Sequence, residues 1–131
     1  MNKKQLSEIV RSYFQLILTG NLPSPSPLSS NFTLEFFGTS FHGLEGLDEW
    51  IQKPFNQGLL DEHYDLIHLK ITYPSTQMVK CKSKVLWSGN RDGKRFASLL
   101  KINFWIDIVN QNIYKVEYKK SKLIDGSNPF F

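Results

Sequence analysis

Leu6, Ile9, Val10, Tyr13, Phe14, Ile17 and Leu18 recur at alternating steps of three and one, which places seven apolar side chains on one stripe of a helix. Asn2 with Gln5 three residues later has the form of a capping box, and Gly20 supplies a left-handed stop, so the helix is expected over residues 3–19. Lys4, Glu8, Arg11 and Gln15 form its polar face. Such a stripe needs an apolar surface to cover it, and the remaining chain must supply one.

That surface is written as alternation. Residues 21–31 form a Ser/Pro loop, since Pro23, Pro25 and Pro27 forbid more than a turn of helix. A strand is expected from Phe32 to Gly38, after which Phe41-His42-Gly43 turns into a short helix with Leu44, Leu47, Trp50 and Ile51 on one face and Pro54 at its end. Tyr64 to Tyr73 alternates with Ile67, Leu69, Ile71 and Tyr73 on one face. Met78 to Ser88 sets Val79, Cys81, Val85 and Trp87 against Lys80, Lys82 and Lys84. After a hairpin turn at Asn90-Arg91-Asp92-Gly93, Arg95 to Ile108 carries Phe96, Leu100, Ile102, Phe104 and Ile106 on one face and the half-apolar set Ala97, Leu99, Lys101, Asn103 and Trp105 on the other. Ile113 to Lys119 is the last expected strand, with the tail 121–131 outside it. Helix, loop, strand, short helix and an antiparallel meander of three or four strands make an α+β chain.

With 131 residues there is room for a single domain spanning 1–131, burying about two-thirds of its unfolded surface. Ten Phe, five Tyr and three Trp are bulky material for lining or filling a cavity. The lone Cys81 excludes an intrachain disulfide, no run of ~20 apolar residues occurs, and the charged and polar residues Glu8, Arg11 and Gln15 argue against a secretory signal, so a cytoplasmic protein is expected. Residues 35–65 carry seven acids and one base, and residues 78–122 eleven bases and three acids. Two charged poles of this kind can orient a charged partner or a second subunit.

The order and spacing of these elements resemble the nuclear transport factor 2-like superfamily, in particular its SnoaL-like and ketosteroid-isomerase-like branches. The resemblance rests on the long amphipathic helix, the turn Phe41-His42-Gly43-Leu44-Glu45-Gly46-Leu47, the Trp87 to Gly93 hairpin and the closing Ile113-Tyr114-Lys115-Val116-Glu117-Tyr118. It implies a cone-shaped roll, a curved antiparallel sheet wrapped over the N-terminal helix around an apolar pocket, with dimerisation through the sheet's outer face. Relatives usually place a second helix where this chain has its three prolines. Members of the superfamily include isomerases, cyclases and dehydratases that need no cofactor, and proteins that only bind partners.

Proton transfer next to a carbonyl requires a carboxylate in an apolar pocket and a donor to the developing oxyanion. The resemblance puts the base position at Phe36, which carries no carboxylate, and leaves Glu35 one residue away on the other face, the base only if the register shifts by one. It puts the donor near Asn103 or Lys101, and Tyr13 resembles the phenol donor of some relatives, although a Tyr on such a stripe is more often core. His42, before a glycine at the mouth of the short helix, is a further acid or base candidate. His63 and His68, five apart on one strand, are expected on opposite faces and not to chelate, and no metal or cofactor site is expected.

The reading is a domain that binds a small, largely apolar molecule, with Tyr13, Phe36, Trp50, Trp87 and Trp105 as pocket candidates and Asn103 beside them. If it is an enzyme, His42 or Glu35 handles the proton and Asn103 or Tyr13 donates. The alternative is a non-catalytic dimeric binding or assembly module whose pocket is filled by its own Phe and Trp side chains. A homodimer through Ala97, Leu99 and Trp105 is expected. The lysine stripe 80, 82, 84 lacks interleaved aromatic residues on its face, which argues against nucleic acid.

Overall fold

The computed structural model describes residues 1–20 and 26–126. Its first element is the helix α1, Lys3–Thr19. Asn2 accepts from the Gln5 backbone and Gln5 from that of Asn2, both at 2.9 Å, and Gly20 closes the helix at φ 70°. Two strands follow, β1 (Leu28–Phe36) and β2 (Thr39–His42), then α2 (Gly43–Ile51) and a 3-10 turn, Pro54–Asn56. The long strands β3 (Leu59–Thr72), β4 (Met78–Arg91), β5 (Lys94–Asp107) and β6 (Asn112–Gly126) complete the chain. The six strands form one sheet in the order β2-β1-β6-β5-β4-β3.

All neighbours are antiparallel except β1 and β6. The β1–β6 pair is parallel because the chain crosses the whole sheet between them, through α2 and the meander. Asp92 and Gly93, both at positive φ, make the β4–β5 hairpin turn, with Arg91 opposite Lys94.

One face of the sheet is the core. Val79, Cys81, Val85 and Trp87 on β4 and Phe96, Leu100, Ile102, Phe104 and Ile106 on β5 are all buried, and α1 lays Leu6, Val10, Tyr13 and Phe14 over them. Tyr13 meets Phe104 edge-on at 5.5 Å, and Phe14 stacks on Tyr64 of β3 at 4.7 Å. The smaller helix α2 caps the β1–β2 end, where Gly46 sits so close to the Phe41 backbone that a Cβ would lie 2.8 Å from its carbonyl carbon. No helix among the described residues is long and apolar enough to cross a membrane.

Four expectations need correction. The last strand continues through the presumed tail to Gly126, pairing with β5 as far as Phe96. The first strand begins at Leu28, inside the expected Ser/Pro loop, and β2 was not foreseen. Residues 21–25, with two of the three prolines, lie outside the described residues. On β3 the register slips between Leu66 and His68, so the inward face reads Glu62, Tyr64, Leu66 and then Leu69 and Ile71, while Ile67 and Tyr73 are exposed. The same slip brings His63 and His68 onto one face, opposite Ser88 and Lys84. Five residues of strand still hold them ~16 Å apart.

Candidate functional site

An irregularity in β3 builds the site. Leu60 pairs with Asn90 and His63 with Ser88, so Asp61 and Glu62 together oppose only Gly89. This is a β-bulge, with Asp61 in the left-handed region at φ 52°, and bulges re-aim side chains. Gly89 leaves room for it, since a Cβ there would meet the Leu60 carbonyl oxygen at 3.1 Å and the Phe96 ring at 3.3 Å.

The bulge turns Glu62 inward. Its Oε2 accepts from Trp87 Nε1 at 2.7 Å and from the Tyr64 hydroxyl at 3.3 Å. Trp87 and Tyr64 lie parallel, 6.1 Å between centroids, and form one wall of a slot. Burial pushes the Glu62 carboxyl above the ordinary carboxylate range, and the two hydrogen bonds and the nearby Arg91 charge only partly offset it. Arg91 also donates to the Phe55 carbonyl, tying the 3-10 turn to the end of β4.

The facing wall is aromatic as well. Phe55 stacks on Phe36 at 5.0 Å and 10°, Trp50 lies 5.4 Å from Phe36, and Tyr118 of β6 lies 5.5 Å from Trp50. Behind it the Tyr118 and Tyr13 hydroxyls share a buried hydrogen bond of 3.0 Å. Burial raises the pKa of both phenols, so each stays neutral and able to donate. Trp50 Nε1 is buried with no hydrogen-bond partner among the described residues. The space left between the walls is about 10 Å³, with Leu100 and Asn56 completing its lining. That is room for about one water molecule.

Of the residues singled out from sequence, Phe36, Trp50 and Trp87 line this slot and Tyr13 stands one hydrogen bond behind it. Glu35, Asn103 and Trp105 face the other way. Glu35 pairs with Lys115 at 3.5 Å, and Asn103 donates to Glu117 at 3.2 Å. Trp105 lies under the ammonium groups of Lys80 and Lys115, each 4.9 Å from its centroid. The period of two decides this, because Phe36 and Phe104 point inward and their neighbours cannot. His42 is the N-cap residue of α2, exposed, with Nδ1 3.4 Å from Thr33 Oγ1, and borders a separate surface groove of about 520 Å³ with Ser29 and Ser30. Glu62 was missed, because it precedes the expected start of its strand.

Cys81 is buried among apolar groups and its thiol is pushed up to about 11, which leaves it unreactive. Among the described residues no group of three or more His, Cys, Asp or Glu converges as metal ligands would.

The long helix packed on one curved six-stranded sheet is the nuclear transport factor 2-like, or cystatin-like, α+β fold. A hexachlorocyclohexane dehydrochlorinase (LinA) type 2 shares it with a TM-score of 0.70 at 9% identity, over 94% of this chain and 88% of that one. A protein described as a ketosteroid isomerase, from Shewanella frigidimarina, superposes with a TM-score of 0.60 at 12% identity, over 88% and 94% of the two chains. A nuclear transport factor 2-like protein from Anabaena variabilis gives 0.59 at 16%, over 93% and 88%. No protein-family model and no curated protein matches the sequence.

Proposed function

We propose that the protein binds a small, flat, largely apolar molecule between the two aromatic walls and that Glu62 exchanges a proton with it. The observation that carries this reading is Glu62 itself, a half-buried carboxylate whose pKa burial raises and which an indole N–H and a phenol hold in one orientation. A base in such surroundings removes a proton bound to carbon more readily than a hydrated carboxylate does. The electron pair released moves to an electronegative atom of the ligand. Trp50 Nε1, still lacking a partner, and the neutral Tyr118 hydroxyl are the donors at hand for the charge that develops there. The ligand enters where Phe55 now stacks on Phe36, exchanging one flat ring for another. The dehydrochlorinase and the ketosteroid isomerase-like protein that share the fold support acid/base chemistry at such a site without fixing its substrate.

The test uses 5-nitrobenzisoxazole, a flat aromatic that opens to a coloured phenolate when a base takes its one activated carbon-bound proton. The protein should open it faster than an equal concentration of acetate, with a rate that rises with pH through an apparent pKa above about 4.3. Glu62→Gln should abolish the excess, and Glu35→Gln should leave it intact. Equal rates for the Glu62→Gln variant and the parent protein would remove the catalytic role. The tight packing of the slot favours a second reading, in which the aromatic rings fill the interior for good and the domain is a dimeric binding or assembly module.

A further inference from the structure

The outer face of the sheet, remote from the slot, carries its basic side chains in register. His68, Lys84, Lys101 and Lys120 stand directly opposite one another across β3, β4, β5 and β6. In the next row Lys70 faces Lys82, and Lys82 faces Asn103. A register slip between Lys101 and Ile102 places both Lys119 and Lys120 against that stretch of β5. Together they border a groove of about 410 Å³, within the size range of small-molecule sites.

Like charges directly opposite on a sheet are destabilising. Lysines that guard a sheet against edge pairing belong on edge strands. Here Lys82 and Lys84 are on β4 and Lys101 on β5, inside the sheet, so that explanation does not cover them. Nor do acids neutralise the row: Glu117 is held by Asn103 at 3.2 Å and Lys119 at 3.7 Å, and Lys82, Lys84, Lys101 and Lys120 form no ion pair among the described residues.

We propose that this groove binds a small molecule carrying at least two phosphate groups. Adjacent strands put the Lys84, Lys101 and Lys120 stems ~4.8 Å apart, and the step from Lys84 to Lys82 along β4 adds ~6.7 Å. Two rows of ammonium groups at those spacings match two or more phosphates held a few ångströms apart, each shared between lysines of neighbouring strands. The groove's volume and its confinement to four strands favour a compact ligand over a polymer, and its face offers no row of aromatic rings on which successive bases could stack. The site is independent of the slot and of Glu62.

Inorganic triphosphate is the probe, titrated by calorimetry at physiological ionic strength against sodium sulfate at matched ionic strength. Triphosphate should bind in the micromolar range and sulfate at least tenfold more weakly. The Lys84→Gln/Lys101→Gln pair should lose at least about tenfold in affinity, whereas Lys80→Gln, over Trp105, should change it less than twofold. The double variant should also melt higher than the parent without anion and gain nothing from triphosphate, a response that a disrupted fold would not give. Triphosphate binding no tighter than sulfate, or binding untouched by the double substitution, would overturn the proposal. An oligothymidylate that binds the same lysines more tightly than triphosphate does would overturn it in favour of a nucleic-acid groove.

Discussion

Replacing Phe55 with alanine should convert the filled slot into an open one. The 3-10 turn that carries it is held by contacts the substitution spares: Arg91 on the Phe55 carbonyl, Asn56 Nδ2 on the Trp50 carbonyl at 2.8 Å and Gln57 Nε2 on the Ile51 carbonyl at 2.7 Å. Only the ring leaves. It is half-buried, stacked on Phe36 and edge-on to Trp50 at 6.3 Å. Half of the cost typical for a fully buried Phe→Ala change is about 2 kcal/mol, which for a chain of this length lowers Tm by about 8 °C. The space vacated is on the order of 100 Å³, comparable to engineered cavities that admit benzene. Indole is a suitable filler, being flat and apolar with one N–H to offer. At about a hundred times its dissociation constant it should restore about 2.7 kcal/mol, and so about the whole loss in Tm. Differential scanning fluorimetry reads both numbers. If Phe55→Ala loses Tm as expected but indole raises it no more than in the parent protein, the walls have closed on each other. In that case the ring of Phe55 is core and does not hold a ligand's place.

Glu62→Gln should change the pH dependence of stability. Burial raises the Glu62 pKa above its unfolded value, so the folded state binds that proton more tightly, and this advantage, complete below the unfolded pKa, is lost as pH rises through the folded one. The variant should therefore gain stability relative to the parent between about pH 4 and pH 7, as urea melts at the two pH values would register. Tyr118→Phe leaves the Tyr13 hydroxyl buried without its 3.0 Å partner and should cost about 1–3 kcal/mol, while adding Tyr13→Phe should recover part of it. Strict additivity of the two changes would contradict a direct hydroxyl pair. A homodimer through the outer sheet face would cover Ala97, Leu99 and Trp105 but bring the lysine rows of two copies together, so light scattering should show dimer fraction rising with triphosphate. A monomer at all protein and anion concentrations would count against the dimer.

Much of this fold could be read in advance because its elements announce themselves locally. The capping box of α1, the Asp92-Gly93 turn, and the faces of β4 and β5 depend only on residues near in sequence and are as the local pattern indicates, and the α1 stripe holds from Leu6 to Ile17, with Leu16 buried and Leu18 exposed at its end. The parallel pairing of β1 with β6 is a long-range choice that no local pattern encodes. The end of β6 was hidden differently: from Lys119 to Gly126 every residue is exposed, so its backbone pairs with β5 while its side chains show no burial contrast to read.

The site was legible in its hydrophobic half only. Phe36, Trp50 and Trp87 could be nominated because large aromatic residues at alternating or helical spacing must go somewhere dry, and the slot is where they meet. Its carboxylate was not nominated, because Glu62 lies before Tyr64, where the strand was expected to begin, and the bulge at Asp61 breaks the alternation on its other side. The resemblance leads to Phe36 and its neighbour Glu35, which a regular strand keeps outside. One signal did exist. Counting back from the inward Tyr64 by two gives Glu62, an acid on the apolar face of a strand, and an acid in that position demands partners that Trp87 and Tyr64 itself supply. The regular part of the sheet thus sets where the apolar walls stand, and just past the extra residue in β3 Glu62 meets Trp87 and Tyr64 of one wall.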